Sequence, residues 1–146
     1  MQSLRYLITS LMVAACAAAA IAATNPTVTT TDATNWTPGT GGYAGTQVAV
    51  LVGDPTKSGM YVMRVKAPAG TVIPPHVHGD TENVTVISGA LYVGMGKTLD
   101  KNSMKALPAG TFVTIPANFP HYAMAKDETV IQIEGIGPAS MTPVKP

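Results

Sequence analysis

The stretch GTVIPPHVHGDTENVTVISG, residues 70–89, decides how the rest of the chain is read. Pro74 and Pro75 exclude a helix, so residues 71–78 run extended. On an extended strand residues i and i+2 face the same way, which sends His76 and His78 toward one point. The short turn Gly79-Asp80-Thr81 lets the chain swing the carboxylate of Glu82 to the same point. Residues 84–87 then form a second strand, ended by the turn Ser88-Gly89.

The flanking sequence repeats this grammar of short apolar runs and turn residues. Residues 47–52 are apolar and β-branched and stop at Gly53-Asp54-Pro55. Residues 60–67 alternate, with Tyr61, Met63 and Val65 on one face and Val62, Arg64 and Lys66 on the other. Residues 91–95, 111–115, 121–125 and 129–134 read as further strands. Between them stand Pro108-Ala109-Gly110, Pro116-Ala117-Asn118 and the polar turn Lys126-Asp127-Glu128. Residues 98–107 read as a single helical turn or a loop. Short strands at regular spacing indicate an all-β sandwich or barrel. No helix-period segment follows residue 24, which argues against a parallel α/β fold.

Composition narrows the function classes. Charged residues make up 12% of the 146-residue chain and apolar residues 46%, which is not a disordered profile. Nine Lys and Arg stand against eight Asp and Glu, and without Arg5 the balance is eight against eight. No basic stripe appears, so a nucleic-acid partner is excluded. Residues 1–23 carry one positive charge, Arg5, then an apolar run rich in alanine, the pattern of an export signal. Cleavage follows Ala20-Ile21-Ala22 or Ala23, or else Val13-Ala14-Ala15-Cys16 acts as a lipobox that makes Cys16 a lipid-anchored first residue. The expected location is therefore periplasmic or secreted, with membrane contact only through the signal or a lipid. A retained membrane helix is the competing reading of the same run. Residues 24–45, rich in Thr, Asn, Pro and Gly, read as a flexible linker and N-terminal arm that Trp36 docks onto the barrel. Residues 46–146 form the folded domain. Cys16 is the chain's one cysteine, so the mature domain has no internal disulfide.

His121, on a later strand just after Pro120, completes the candidate set, so that all three histidines of the chain join Glu82. Histidine nitrogens with a carboxylate suit Fe, Mn, Zn, Ni or Cu. The frame around them resembles the cupin family. Its first motif is Gly, five residues, His-x-His, three or four residues, Glu, six residues, Gly. Gly70, His76, His78, Glu82 and Gly89 fill every position. Its second motif is matched by Gly110, Pro116 and His121. Asn118 stands where the family has glycine and Ala125 where it has asparagine. Asparagine tolerates positive φ, so the turn at 118 survives the exchange.

The resemblance covers roughly residues 47–137. It implies a six-stranded double-stranded β-helix, a jelly-roll barrel, with one divalent transition metal held by His76, His78, Glu82 and His121. Four protein ligands leave one or two positions open, as in a working rather than a structural site. The expected pocket walls are Met63, Tyr92, Phe112, Phe119, Tyr122, Met124 and Gln132. Asp80 reads as a solvated turn carboxylate, or as a gate or acid-base group at the barrel mouth. The phase of Glu134 is open, and no arginine clearly faces the pocket, Arg64 being the one candidate, which argues against a multiply charged substrate. The expected partner is a small-molecule ligand or substrate, and small cupins are often homodimers. Two functions follow: a metal-dependent oxygenase or isomerase, or a non-catalytic metal or small-molecule binding protein of the cell envelope. No further catalytic signature selects between them.

Overall fold

Alternation between buried and outward side chains builds the first long strand, β3, Gly59–Ala67, with Tyr61, Met63 and Val65 each at most 3% exposed. The computed structural model describes residues 26–30 and 34–145. The expected export signal, residues 1–23, and Cys16 lie outside the described residues. Eleven strands follow one another: β1 Thr37–Pro38, β2 Gln47–Val52, β3, β4 Val72–His78, β5 Glu82–Ser88, β6 Ala90–Met95, β7 Lys105–Pro108, β8 Phe112–Ile115, β9 His121–Ala125, β10 Thr129–Gly137 and β11 Met141–Pro143. They form two antiparallel sheets, ordered β1-β2-β3-β10-β5-β8 and β11-β4-β9-β6-β7. This is a jelly-roll arrangement, as expected, with eleven strands among the described residues rather than six. Among the described residues no helix is long and apolar enough to cross a membrane.

The inner faces of the two sheets meet in one core of Val84, Val86, Leu91, Val93, Ile131 and Ile133 with Tyr61, Met63 and Val65. Each such aliphatic side chain, fully buried, contributes about 1.5–3 kcal/mol. Gly70, Gly89 and Gly110 take positive φ at the turns that reverse the chain between sheets. At Gly89 a Cβ would also meet the carbonyl of Glu128 and Thr129 Oγ1.

Two segments differ from their sequence reading. Residues 98–107 are a turn, pinned by Asn102 N–H to Asp100 Oδ1 at 2.9 Å, that runs into β7. The strand is four residues long and buries only Leu107, too little for a pattern to register. Residues 34–45 are not a free linker. Thr34 is buried, Lys66 Nζ lies 4.5 Å from the Trp36 ring centre, and Thr37 and Pro38 pair with Val48 and Gln47. The arm then turns through a short 3-10 segment, Gly41–Tyr43, before entering β2.

Candidate metal centre

The irregular middle of β4 sets the first two side chains of the site. Pro74 and Pro75 cannot donate to a ladder, and the β4–β9 register shifts between Ile73 and His76. Pairing resumes at His76, directly opposite His121, and the two ring centres lie 4.2 Å apart. His78 shares the inward face of β4 with His76, and both are buried. The turn after His78 crosses to the other sheet, where Glu82 opens β5. The four residues therefore bridge the two sheets.

Distances between their free atoms are short. His76 Nε2 and His78 Nε2 are 3.1 Å apart. Glu82 Oε2 lies 3.4 Å from His78 Nε2 and 3.5 Å from His121 Nε2. One nitrogen of each histidine falls within 4.8 Å of the other two.

The opposite nitrogens fix the tautomers. His76 Nδ1 donates to the Pro74 carbonyl at 2.7 Å, His78 Nδ1 to that of Ser140 at 2.8 Å, and His121 Nδ1 to that of Phe119 at 3.0 Å. A carbonyl oxygen only accepts, so each Nδ1 carries a proton and Nε2 is the ring atom turned inward. Burial lowers the pKa of His76 to about 4; His121 and His78 push it the same way, against the Pro74 carbonyl and Glu82. With His76 neutral at pH 7, the cluster crowds three Nε2 atoms and a carboxylate round one point. A cation resolves this. Ligand atoms about 2.1 Å from one ion stand roughly 3.0–3.4 Å apart, close to the spacing seen here. The residues fit a divalent transition metal.

The low pKa of His76 has a consequence for the metal-free protein. The unfolded chain takes up this proton near pH 6.5 and the folded chain only near 4. Stability from this group is complete above pH 6.5, falls as the pH drops from 6.5 toward 4, and changes no further below. Urea unfolding of metal-free protein across this range checks it; a midpoint that stays flat would contradict the burial argument.

Asn118 shows how the second motif survives its exchange. Its φ is 61°, its N–H donates to the His78 carbonyl at 2.8 Å, and the turn holds Phe119 N–H to Pro116 O at 3.1 Å. The same turn presents the Phe119 carbonyl to His121. One tight turn therefore steadies both ligand-bearing strands.

A sequence profile of the ChrR Cupin-like domain matches residues 24–139. The chain belongs to the ChrR cupin-like family. No curated protein matches this cupin in sequence. Its fold recurs in solved structures. A proposed acetylacetone dioxygenase from Methylibium petroleiphilum PM1 is 22% identical over 85% of this chain and 84% of its own, with a TM-score of 0.62. The acetylacetone dioxygenase of Acinetobacter johnsonii is 17% identical, covering 80% and 77%, with a TM-score of 0.61. KdgF from Halomonas sp. is 21% identical, covering 76% and 95%, with a TM-score of 0.58. At these identities the likeness shows the fold.

Beside the cluster this cupin holds an apolar cavity of about 30 Å³, bordered by His76, Glu82 and His121 and by Tyr43, Ile73, Val84, Val93, Ile131 and Met141. None of the expected pocket walls borders it. Alternation explains most of the difference. On β9, His121 and Ala123 point inward, so Tyr122 and Met124 cannot. Tyr122 lies over Gly94 and bonds Ser103 Oγ at 2.9 Å and the Asp100 carbonyl at 3.2 Å. Tyr92 is on the outer face of β6, beneath Lys126 Nζ at 4.2 Å. Gln132 is on the outer face of β10, between Arg64 and Glu134, which also settles those two as outward. Phe112 and Phe119 are exposed. Met63 is buried but borders an outer groove instead.

Asp80 is not a solvated carboxylate. Its Oδ2 accepts from the Tyr61 hydroxyl at 3.1 Å, and its Oδ1 is buried without a hydrogen-bond partner among the described residues. Burial, and then the Asp80 charge, raise the Tyr61 phenol well above its usual range. Among the wall residues that sequence reasoning misses, Tyr43 is the least accessible to it. It lies in a glycine-rich arm, and no spacing ties it to the histidine motif.

Proposed function

We propose that this cupin holds one divalent transition metal on His76, His78, Glu82 and His121 and uses it to transform a small molecule, as a metal-dependent oxygenase or isomerase. The observation that carries the reading is the convergence of three Nε2 atoms and a carboxylate beside an apolar cavity, with every Nδ1 already committed to a carbonyl. When bound, the ion supplies Lewis acidity and, if redox-active, electrons.

The chain's own residues do the rest. The Pro74, Ser140 and Phe119 carbonyls hold the imidazoles in orientation and raise their basicity. Glu82 offsets part of the ion's charge. Ile73, Val84, Val93, Ile131 and Ile133 keep bulk water from the reacting side. That two of the similar structures bear the name acetylacetone dioxygenase agrees with oxygen chemistry on a small substrate. A non-catalytic metal or small-molecule holder is the second reading, favoured by the small size of the cavity. The composition of residues 1–23 supports an exported protein of the envelope, lipid-anchored if Cys16 is the cleavage site.

Elemental analysis of natively purified protein tests the site. One equivalent of a transition metal per chain is expected, lost in Glu82→Ala. Iron together with oxygen uptake supports the oxygenase; zinc without turnover supports the holder. A wild-type protein that carries no metal and takes none up on titration removes both.

A further inference from the structure

The cavity beside the ligand cluster is closed by a residue that belongs to neither inner sheet face. Tyr43 rides on the arm, and its backbone is held tightly. Its N–H donates to the Thr40 carbonyl at 3.0 Å, and its own carbonyl accepts from Thr46 N–H at 3.1 Å and Thr46 Oγ1 at 2.7 Å. Gly39 N–H closes the loop onto the Thr46 carbonyl at 2.9 Å. Gly41 and Gly45 supply the positive φ that this tight path needs.

The ring is a partition. On its inner side Tyr43 borders the cavity with His76, Glu82 and His121. On its outer side it borders a surface groove of about 370 Å³ with Thr37, Pro38, Val48 and Ala139. A second outer groove, about 330 Å³, shares Ile73, His76 and Met141 with the inner cavity. There Met141 is the partition, pressed so closely under the arm that a Cβ at Gly42 would strike its sulfur. The inner space alone has room for one or two water-sized occupants. The grooves outside would take a molecule of ordinary metabolite size. What decides between the two scales is the aromatic ring.

We propose that Tyr43 is the specificity-determining residue of this site, closing the metal cavity against the outer groove and limiting the exogenous ligand to a molecule of a few heavy atoms. The inference rests on the metal reading above, and adds to it a size limit and the residue that imposes it. The phenol also brings a donor to a wall that is otherwise apolar. Burial first, and the charge of Glu82 second, hold it protonated.

All three histidines of the chain are in the cluster, so carbethoxylation by diethyl pyrocarbonate, followed by the absorbance of N-carbethoxyhistidine alone, reports access to the cluster. In metal-free full-length protein the reaction should be slow. Tyr43→Ala should accelerate it by at least about tenfold, since reactivity follows opening of the site, and Tyr43→Phe should leave it near the wild-type rate. If Tyr43→Ala does not fold, Tyr43→Leu carries the same comparison. The second arm uses the cobalt-loaded protein. Azide should perturb the cobalt spectrum of wild type and Tyr43→Ala alike, whereas imidazole should do so only in Tyr43→Ala. Equal carbethoxylation rates in wild type and the small-residue variants, or imidazole binding to wild type as tightly as to Tyr43→Ala, overturns the proposal. Failure of the wild type to bind cobalt at all overturns the metal reading instead, and the carbethoxylation arm still judges the partition.

Discussion

Excess chelator should lower the melting temperature of the natively loaded protein by about 15 °C and leave His76→Ala unmoved. The size follows from linkage. An ion present at a thousand times its dissociation constant stabilises the folded state by about 4 kcal/mol. For a domain of this length each kcal/mol moves the midpoint by roughly 3–5 °C. His76 is expected to dominate because it faces two partners at once, His78 Nε2 at 3.1 Å and the His121 ring at 4.2 Å between centres. Without it the remaining acceptors are farther apart, and the cluster loses both a ligand and its strongest call for a cation. Differential scanning fluorimetry with and without chelator checks this. The same shift in wild type and His76→Ala would mean that the ion sits elsewhere.

The second large effect concerns packing beneath the site. Gly94→Ala should cost about 3 kcal/mol, the upper end of what an overfilled core imposes. A Cβ at 94 would enter the ring of Tyr122, which is 1% exposed. The ring cannot yield easily, because its hydroxyl is fixed by Ser103 and the Asp100 carbonyl. In the β6–β9 ladder Gly94 pairs with Tyr122 and Met95 with His121, so a displaced strand also disturbs a ligand. Metal affinity should fall together with stability. Urea unfolding gives the first quantity and cobalt titration the second. Gly94→Ala combined with Tyr122→Ala should recover at least about 1 kcal/mol relative to the sum of the single changes, as contacting residues do. Strict additivity would show that the clash is not the cause.

Much of this architecture was legible in residues 70–89, for a physical reason. Period-two alternation and proline exclude a helix locally, and His76, His78 and Glu82 converge through chain geometry that spans only seven residues. His121 lies far along the chain and joins the set as its remaining histidine and through the resemblance; its register opposite His76 supplies the geometry. The cavity wall was not legible. Tyr122 and Met124 stand among the expected walls, yet strand alternation assigns them to the face His121 does not use. Phe119 stands there too, but it contributes its carbonyl rather than its ring. Tyr43 lies outside any local argument, since it reaches the site only because the arm folds back over β11 and β2. The strands β1, β7 and β11 escaped notice because pairing with a neighbour, rather than their own two to four residues, makes them strands.

The three imidazoles take their orientation from main-chain oxygens, and among the described residues no carboxylate or amide side chain bonds an Nδ1. The cradle is therefore insulated from mutation around it: exchanges at Ile73, Val84 or Ile131 can reshape the chamber without rotating a ring or moving its proton. Such a scaffold can change what it accepts while keeping what it holds, which makes those aliphatic positions the natural ones to randomise when new reactivity is sought in this barrel.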